Sequence, residues 1–173
     1  KQSYLQVLIQ YNKALKQRNA LLKQFHEKEY YDDITLEIYD KQLIEHGSII
    51  YRERKEFLKQ LNPVFNKYYS EISEGNEMVD LEYRSQLNDD DFSILIHQNK
   101  EKDRISKTTQ AGVHKDDILF KMDTYPIKKI GSQGQQKTFL IALKLAQFDF
   151  IKEQIGFKPI LLLDDIFDKL DDH

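Results

Sequence analysis

The sequence predicts an α/β protein with a coiled-coil-like helical lobe in residues 1–75 and a mixed α/β part in residues 76–173. Two observations carry this prediction. Apolar residues recur every seven positions through much of the first lobe, which is the pattern of paired helices. Strand-like segments follow residue 76, and one of them is an uninterrupted apolar run that ends in two acids, as in a strand buried on both faces.

Composition excludes several classes of protein. The 173 residues are 40% hydrophobic and 32% charged, with a formal net charge of −3, so the chain is not a globally basic nucleic-acid binder. The absence of Cys excludes a disulfide scaffold and a Cys-based zinc site. The sequence has no secretory signal and no apolar stretch of the ~20 residues that span a membrane, so we expect a cytoplasmic protein without a membrane partner. Because the first residue is not Met, we expect a piece of a larger protein.

Residues 1–27 are expected to form one long helix. Two sets of apolar residues repeat by seven there, and Arg18 interrupts one of them. The segment is basic, and its cations do not all lie on one stripe: Lys13, Lys16, Arg18 and Lys23. These side chains form either a solvated face or a surface that contacts the phosphates of duplex DNA.

A second helix is expected after a turn at residues 28–33, with Asp32 or Asp33 as its N-cap. Its apolar residues also repeat by seven, which predicts an antiparallel hairpin with the first helix: Leu36, Leu43, Ile50 and Phe57. Gly47 marks either a close helix approach or a bend, since glycine in a helix costs about 1 kcal/mol against alanine. Asn62 and Pro63 predict the start of a third helix that runs to Ser73 and ends at Gly75.

Residues 76–131 have the pattern of short strands and helices. A short helix around Phe92 is expected to be capped by Asp89 or Asp90. The expected strands and turn are, in order, residues 78–83 (strand), 118–120 (strand), 123–126 (turn) and 127–130 (strand).

The segment after residue 131 carries the strongest chemical signal. Ser132 and Gly134 lie at the start of a helix expected over residues 132–155, where a hydroxyl, free backbone N–H groups and the helix dipole favour an anion. Gly156 ends that helix, and a buried strand is expected from Pro159 to the acids Asp164 and Asp165. Carboxylates at that edge of a sheet can hold Mg²⁺ and polarise an attacking water.

This order resembles the head of the ABC-type ATPases, in which a signature motif, a helix, a Walker B strand and a D-loop follow one another. SQGQQ at residues 132–136 and LLLDDIFDKLD at residues 161–171 are similar to the RecF family, bacterial recombination mediators of the SMC-like ATPase group. Upstream, YNKALKQRNALL at residues 11–22 and GVHKDD at residues 112–117 also resemble that family, although Val113 and Lys115 replace its Pro and Arg.

The resemblance implies a role for the signature residues. Ser132 and the backbone of Gly134 would contact the γ-phosphate of an ATP held mainly by a second subunit. Gln133 departs from the glycine that is usual in transporter signatures but fits the RecF wording, and Gln135 would brace the loop.

The resemblance also implies roles for four acids and several basic residues. Asp164 would be the Mg²⁺-associated Walker B acid, and Asp165 would be catalytic in the place where most ABC ATPases carry Glu, so we expect slow hydrolysis. The remaining candidates are Asp168 and Asp171 in the D-loop, and His114, Lys115, Lys13, Lys16 and Arg18 at a DNA or interface surface. His114 and Lys115 can equally be structural polar groups near a strand.

As the resemblance implies, the intact protein would be a weak ATPase that dimerises on ATP and clamps duplex or gapped DNA in recombinational repair and replication-fork maintenance. Its partners would be a RecR-type mediator and a second copy, and it would assist recombinase loading. The chain has no G-x-x-x-x-G-K-[ST] motif, so we expect it to be the signature and Walker B half of the head, inactive alone.

Two alternatives stay open at this point. One is another SMC-like ATPase, of chromosome maintenance or of defence. The other is a non-enzymatic module in which the helical hairpin binds a protein.

Overall fold

The computed structural model describes residues 3–73 and 77–162. Helices dominate it, and three short strands form one sheet in the order β1-β2-β3. The elements are α1 (Tyr4–Lys28), α2 (Asp33–Ser73), β1 (Val79–Arg84), α3 (Phe92–Gln98), α4 (Lys100–Ser106), β2 (Asp117–Met122), β3 (Tyr125–Pro126), α5 (Ile127–Ile130) and α6 (Gln133–Ile155). Strands β2 and β3 are antiparallel, with Lys121 opposite Pro126 and Met122 opposite Tyr125.

The starts of the first two helices follow from local capping. The Ser3 hydroxyl accepts a hydrogen bond from the Gln6 N–H at 3.3 Å, while the Gln6 side chain accepts one from the Ser3 N–H at 3.2 Å. This reciprocal pair satisfies two of the backbone donors that a helix start leaves free. Asp32 caps α2, since its carboxylate accepts from the N–H groups of Ile34 and Thr35 at 3.1 and 3.2 Å.

Helix α2 continues through Pro63, so the predicted restart at Asn62 is wrong. Asn62 does not cap a new helix, because its side chain is bonded to β1 instead. Its Oδ1 accepts from the Leu81 N–H at 2.9 Å, and its Nδ2 donates to the Leu81 carbonyl at 3.3 Å and to Asp80 at 2.9 Å. Gly75, the predicted end of this helix, lies outside the described residues.

Contacts group the chain into two compact units. One unit is residues 1–56 with 83–117, and the other is residues 57–82 with those from 118 onward. This grouping differs from the predicted boundary at residue 75 because α2 runs from one unit into the other.

The first unit is built around the heptad positions of α1 and α2. Its core residues come from both helices, from α3 and from the segment before β2: Val7, Tyr11, Ala14, Leu43, Ile50, Phe92, Leu95, Ile96, Ala111 and Val113. A close approach occurs at Gly47, because a Cβ there would overlap Phe92 and lie 3.0 Å from Tyr11. Of the two predicted alternatives, this confirms the close approach. The N-cap of α3 is Asp91, which accepts from the Ser93 N–H at 3.2 Å, and not Asp89 or Asp90 as predicted.

The second unit packs aromatic rings against α6. The ring of Phe139 lies 4.7 Å from that of Phe65 and 5.6 Å from that of Phe120, centre to centre. The predicted strand at residues 127–130 is wrong: these residues form the single helical turn α5, closed by a bond of 2.8 Å from the Gly131 N–H to the Ile127 carbonyl. Pro126 has no N–H for a ladder, so β3 ends there.

The predicted buried strand at residues 159–165 is not formed in its described part. Residues 159–162 have no regular structure, and Ile160 and Leu162 are each 89% exposed. An apolar run becomes a buried strand only when strands flank it and layers cover both faces, and none of the three described strands pairs with it.

Candidate functional site

The turn before α6 is a complete helix cap. Ser132 is the N-cap, and its hydroxyl accepts from the Gln135 N–H at 3.2 Å. The Gln135 side chain accepts from the Ser132 N–H at 2.9 Å and donates through Nε2 to Glu77 at 3.0 Å. Gln135 therefore ties the turn to the segment that leads into β1.

The outer side of this turn is open. Ser132, Gln133 and Gly134 are exposed, and a Cβ added at Gly134 would meet nothing nearer than the Ser132 hydroxyl oxygen at 3.9 Å. Packing within the described chain therefore does not require glycine at position 134. The lack of a side chain leaves the backbone of the first helical turn accessible from solvent.

The chemistry of this turn suits an anion. The first N–H groups of a helix have no partner within the helix, and the dipole adds partial positive charge. The Ser132 hydroxyl accepts one bond inside the protein and still has its own proton to donate. These donors fit a phosphate oxygen, so the residues present fit one side of an ATP site.

The four predicted acidic site residues, Asp164, Asp165, Asp168 and Asp171, lie outside the described residues. Within residues 3–73 and 77–162, no three His, Asp or Glu side chains are grouped to hold a metal ion.

Arg18 is buried, so the prediction that places it on a DNA or interface surface is corrected. Its side chain is 0% exposed and forms ion pairs with Asp40 at 2.5 Å and with Asp103 at 2.6 Å. It also donates to the Thr109 hydroxyl at 2.9 Å. Burial raises the pKa of the Asp103 carboxyl, and the charge of Arg18 opposes part of that rise. Arg18 therefore continues the buried seam of α1 and does not interrupt it.

His114 is also engaged inside the protein. Its Nε2 lies 3.0 Å from the Thr109 carbonyl, which can only accept, so Nδ1 is the atom that accepts from the Tyr11 hydroxyl at 2.8 Å. Burial lowers the pKa of His114 below its usual value, which favours the neutral ring. Of the two predicted roles, the contacts support the structural one.

Three of the predicted surface cations are exposed. Lys13 and Lys16 lie on the solvent side of α1, and Lys115 lies in the turn before β2. Sequence reasoning missed Glu77 as a brace and Asp103 as a counter-ion. Their partners are 58 and 85 positions away, so no local pattern could have revealed them.

Comparison with known proteins finds relatives that share one name. The DNA replication and repair protein RecF of Flavobacterium johnsoniae is 54% identical over 170 residues, which are 98% of this chain and 47% of the relative. The protein of the same name from Cytophaga hutchinsonii is 50% identical over 169 residues, 98% of this chain and 45% of the relative. Over nearly its whole length, the chain is similar to these RecF proteins. It spans about half the length of the curated relatives it matches.

Solved RecF structures confirm the predicted fold class. A structure of the recombination mediator protein RecF with ATP in the RecFOR pathway superposes with a TM-score of 0.88 at 34% identity, over 99% of this chain and 48% of that one. A second RecF structure, with an ATP analogue, gives the same TM-score at 32% identity. No protein-family model matches the chain. In the part of the chain that the structure describes, no helix is long and apolar enough to cross a membrane.

Proposed function

We propose that this RecF-family chain supplies the signature side of a composite ATP site, and that ATP-driven pairing of two copies clamps duplex or gapped DNA in recombinational repair. The observation that carries the proposal is the open turn at Ser132 and Gly134. It offers a hydroxyl and free N–H groups on a surface that no side chain of the described residues covers. The names of its relatives, which are DNA replication and repair proteins, support the setting.

In the proposed site, Ser132 and the Gly134 backbone bind the γ-phosphate of an ATP held mainly by the other copy, Gln133 lies beside it, and Gln135 keeps the turn in shape. The bound nucleotide supplies the anion that joins the two copies. Asp164 would hold Mg²⁺, Asp165 would orient the attacking water, and Asp168 and Asp171 would line the D-loop between the copies. The side chain of Asp165 is one methylene shorter than that of the usual Glu and would position the water less well. Slow ATP hydrolysis is therefore part of the proposal.

The remaining elements of the proposal concern the whole protein. The chain lacks a Walker A motif, so it would not hydrolyse ATP by itself. A RecR-type mediator would be the protein partner, recombinase loading at gaps would be the outcome, and the location would be the cytoplasm. The solved ATP-bound RecF is a recombination mediator of the RecFOR pathway, and this supports the choice of partner.

The test compares Ser132→Asp with Ser132→Asn in a protein of the relatives' full length that carries these residues. Both replacements are strong N-caps, so α6 keeps its start in each. Only Asp places a negative charge where the γ-phosphate would lie. Light scattering measures ATP-driven dimerisation, and fluorescence anisotropy measures binding to duplex DNA with and without ATP.

We expect the Asn variant to keep ATP-dependent dimerisation and DNA binding within a few-fold of the parent protein. The Asp variant should lose both. If the two variants respond to ATP as the parent does, Ser132 is only a helix cap and the composite site is wrong.

A further inference from the structure

The first 26 residues contain no acidic residue, although Asp and Glu make up 29 of the 173 residues. A segment of average composition and this length would contain about four. The cations of the segment are Lys1, Lys13, Lys16, Arg18 and Lys23. Before Glu27, the positive charge of α1 is thus not balanced by acids on the same helix, which is unusual for a solvated helix face, where charges of both signs alternate.

The structure separates the four cations among the described residues into two groups. Arg18 points into the core and is neutralised there by Asp40 and Asp103. Lys13, Lys16 and Lys23 are separated by three and seven positions, which returns a helix to the same face. All three are exposed, on the side opposite the buried residues of α1. With Arg18 removed from the set, the remaining lysines form one stripe.

The three lysines of this face form no ion pair within the described part of the chain. None of the ion pairs formed by the described residues includes Lys13, Lys16 or Lys23. Most of the other exposed polar residues around the stripe are amides that can donate hydrogen bonds, namely Gln10, Asn12, Gln17 and Gln24. One acid shares this face, Glu27, which lies one helical turn beyond Lys23 at the end of the stripe. Lysine and amide side chains are typical donors to phosphate oxygens.

We infer that this lysine face of α1 binds the phosphate backbone of duplex DNA. The inference rests on the proposed function and assigns the surface through which the DNA is held. At a rise of 1.5 Å per residue, Lys13 and Lys23 are about 15 Å apart along the helix. That length matches about four phosphates of one strand, which follow one another every 3.4 Å along the axis. Contacts to phosphates carry no base sequence information, so we expect this binding to be independent of DNA sequence.

The test is the salt dependence of DNA binding by the full-length protein with Lys13, Lys16 and Lys23 all changed to Gln. Glutamine forms helices about as well as lysine, so α1 is kept. The matched control changes three exposed lysines elsewhere, Lys41, Lys59 and Lys102, to Gln and alters the net charge equally. Fluorescence anisotropy with a duplex gives the association constant from 50 to 300 mM salt, and light scattering follows ATP-driven dimerisation in each variant.

We expect the slope of log K against log salt to become shallower by about 3 in the α1 variant, since each lost phosphate contact contributes about 0.9. Binding at 100 mM salt should weaken at least tenfold, while dimerisation and the control variant stay as in the parent. An unchanged slope in the α1 variant overturns the inference and assigns the face to another partner, such as an acidic protein. If DNA binding is unchanged by ATP and by the Ser132 variants, the proposed function is overturned. The inference about α1 is still tested in that case, because the slope of log K against log salt measures the lysine contacts independently.

Discussion

Arg18 Nη1 lies 2.6 Å from Asp103 Oδ2, and both side chains are 0% exposed although 85 positions separate them in the chain. Asp40 lies 2.5 Å from Arg18 Nε and brings α2 into the same cluster. A buried arginine is tolerated only where its charge is paired. Two carboxylates pair Arg18, and its Nε and Nη1 are hydrogen-bonded, while its buried Nη2 has no hydrogen-bond partner among the described residues. The cluster therefore fixes α1, α2 and α4 against one another.

Replacing Arg18 with Met should destabilise the chain strongly. The change leaves the buried Asp103 without its cation, and breaking a buried pair by removing one partner costs about 3–5 kcal/mol. Urea unfolding followed by circular dichroism measures the free energy of unfolding. Lys16→Met, on the exposed side of the same helix, should stay within about 0.5 kcal/mol. A double change of Arg18→Met with Asp103→Leu should recover part of the loss, and a failure to do so would show that the charge is not the cause.

The same residue shows what the sequence can predict. The heptad spacing predicted α1, the first part of α2 and their pairing. Local capping signals predicted the helix start at Ser132 and, as one of two alternatives, the cap at Asp32. Arg18 occupies a heptad position and looked like an interruption, because its counter-ions lie 22 and 85 positions away. A pattern read along the chain detects the position but not the partner that makes a charge acceptable there.

The wrong predictions have a related cause. Asn62 and Pro63 have the residue types of a helix start, yet the Asn62 side chain is bonded to Leu81 in β1. Residues 127–130 are apolar enough for a strand, but Pro126 ends the ladder before them. In each case a tertiary contact or a missing donor outweighs local preference. The acidic end of the candidate site lies outside the described residues, so its roles stay predictions.

His114 should make the stability of the chain depend on pH. Its pKa in the folded state is lowered by burial, so the folded state binds fewer protons than the unfolded state once the pH falls below about 6.5. The stabilisation is complete above that pH and is lost as the pH falls through the folded-state pKa. The loss should approach at most about 1.4 kcal/mol per pH unit.

Unfolding midpoints between pH 7.5 and 5 measure this effect. His114→Gln keeps a donor toward Thr109 but does not titrate, so its midpoint should fall less with acid than that of the parent chain. His97 is exposed, and His97→Gln should leave the parent's pH dependence in place. Equal slopes for the parent and the His114 variant would assign the acid sensitivity to other groups.

Replacing Gly47 with Ala should destabilise the chain, against the usual preference of helices for alanine. The new Cβ would overlap the Phe92 ring and lie 3.0 Å from Tyr11 Cε2. Overpacking of this kind costs about 1–3 kcal/mol, which outweighs the gain of about 1 kcal/mol in helix propensity. Chemical denaturation gives the difference.

A second change separates the steric cause from others. Phe92→Leu costs stability by itself, but it makes room near Gly47. The alanine should therefore be tolerated better when leucine replaces Phe92 than beside the native ring, which is a favourable coupling in a double-mutant cycle. Additive effects would show that the contact with Phe92 is not what excludes a side chain at position 47.

Pro63→Ala should stabilise the chain by about 1–3 kcal/mol, because alanine restores an N–H inside α2 and removes a residue that costs about 3 kcal/mol in a helix interior. Pro63 is exposed, so no core contact is lost.

Asn62→Ala should act in the opposite direction by about 1–3 kcal/mol, since the buried N–H of Leu81 loses its partner at 2.9 Å. Thermal unfolding of both variants distinguishes a continuous helix from a restart at Asn62. In a restart Pro63 would hold a favourable first position, and its replacement by alanine would give no gain.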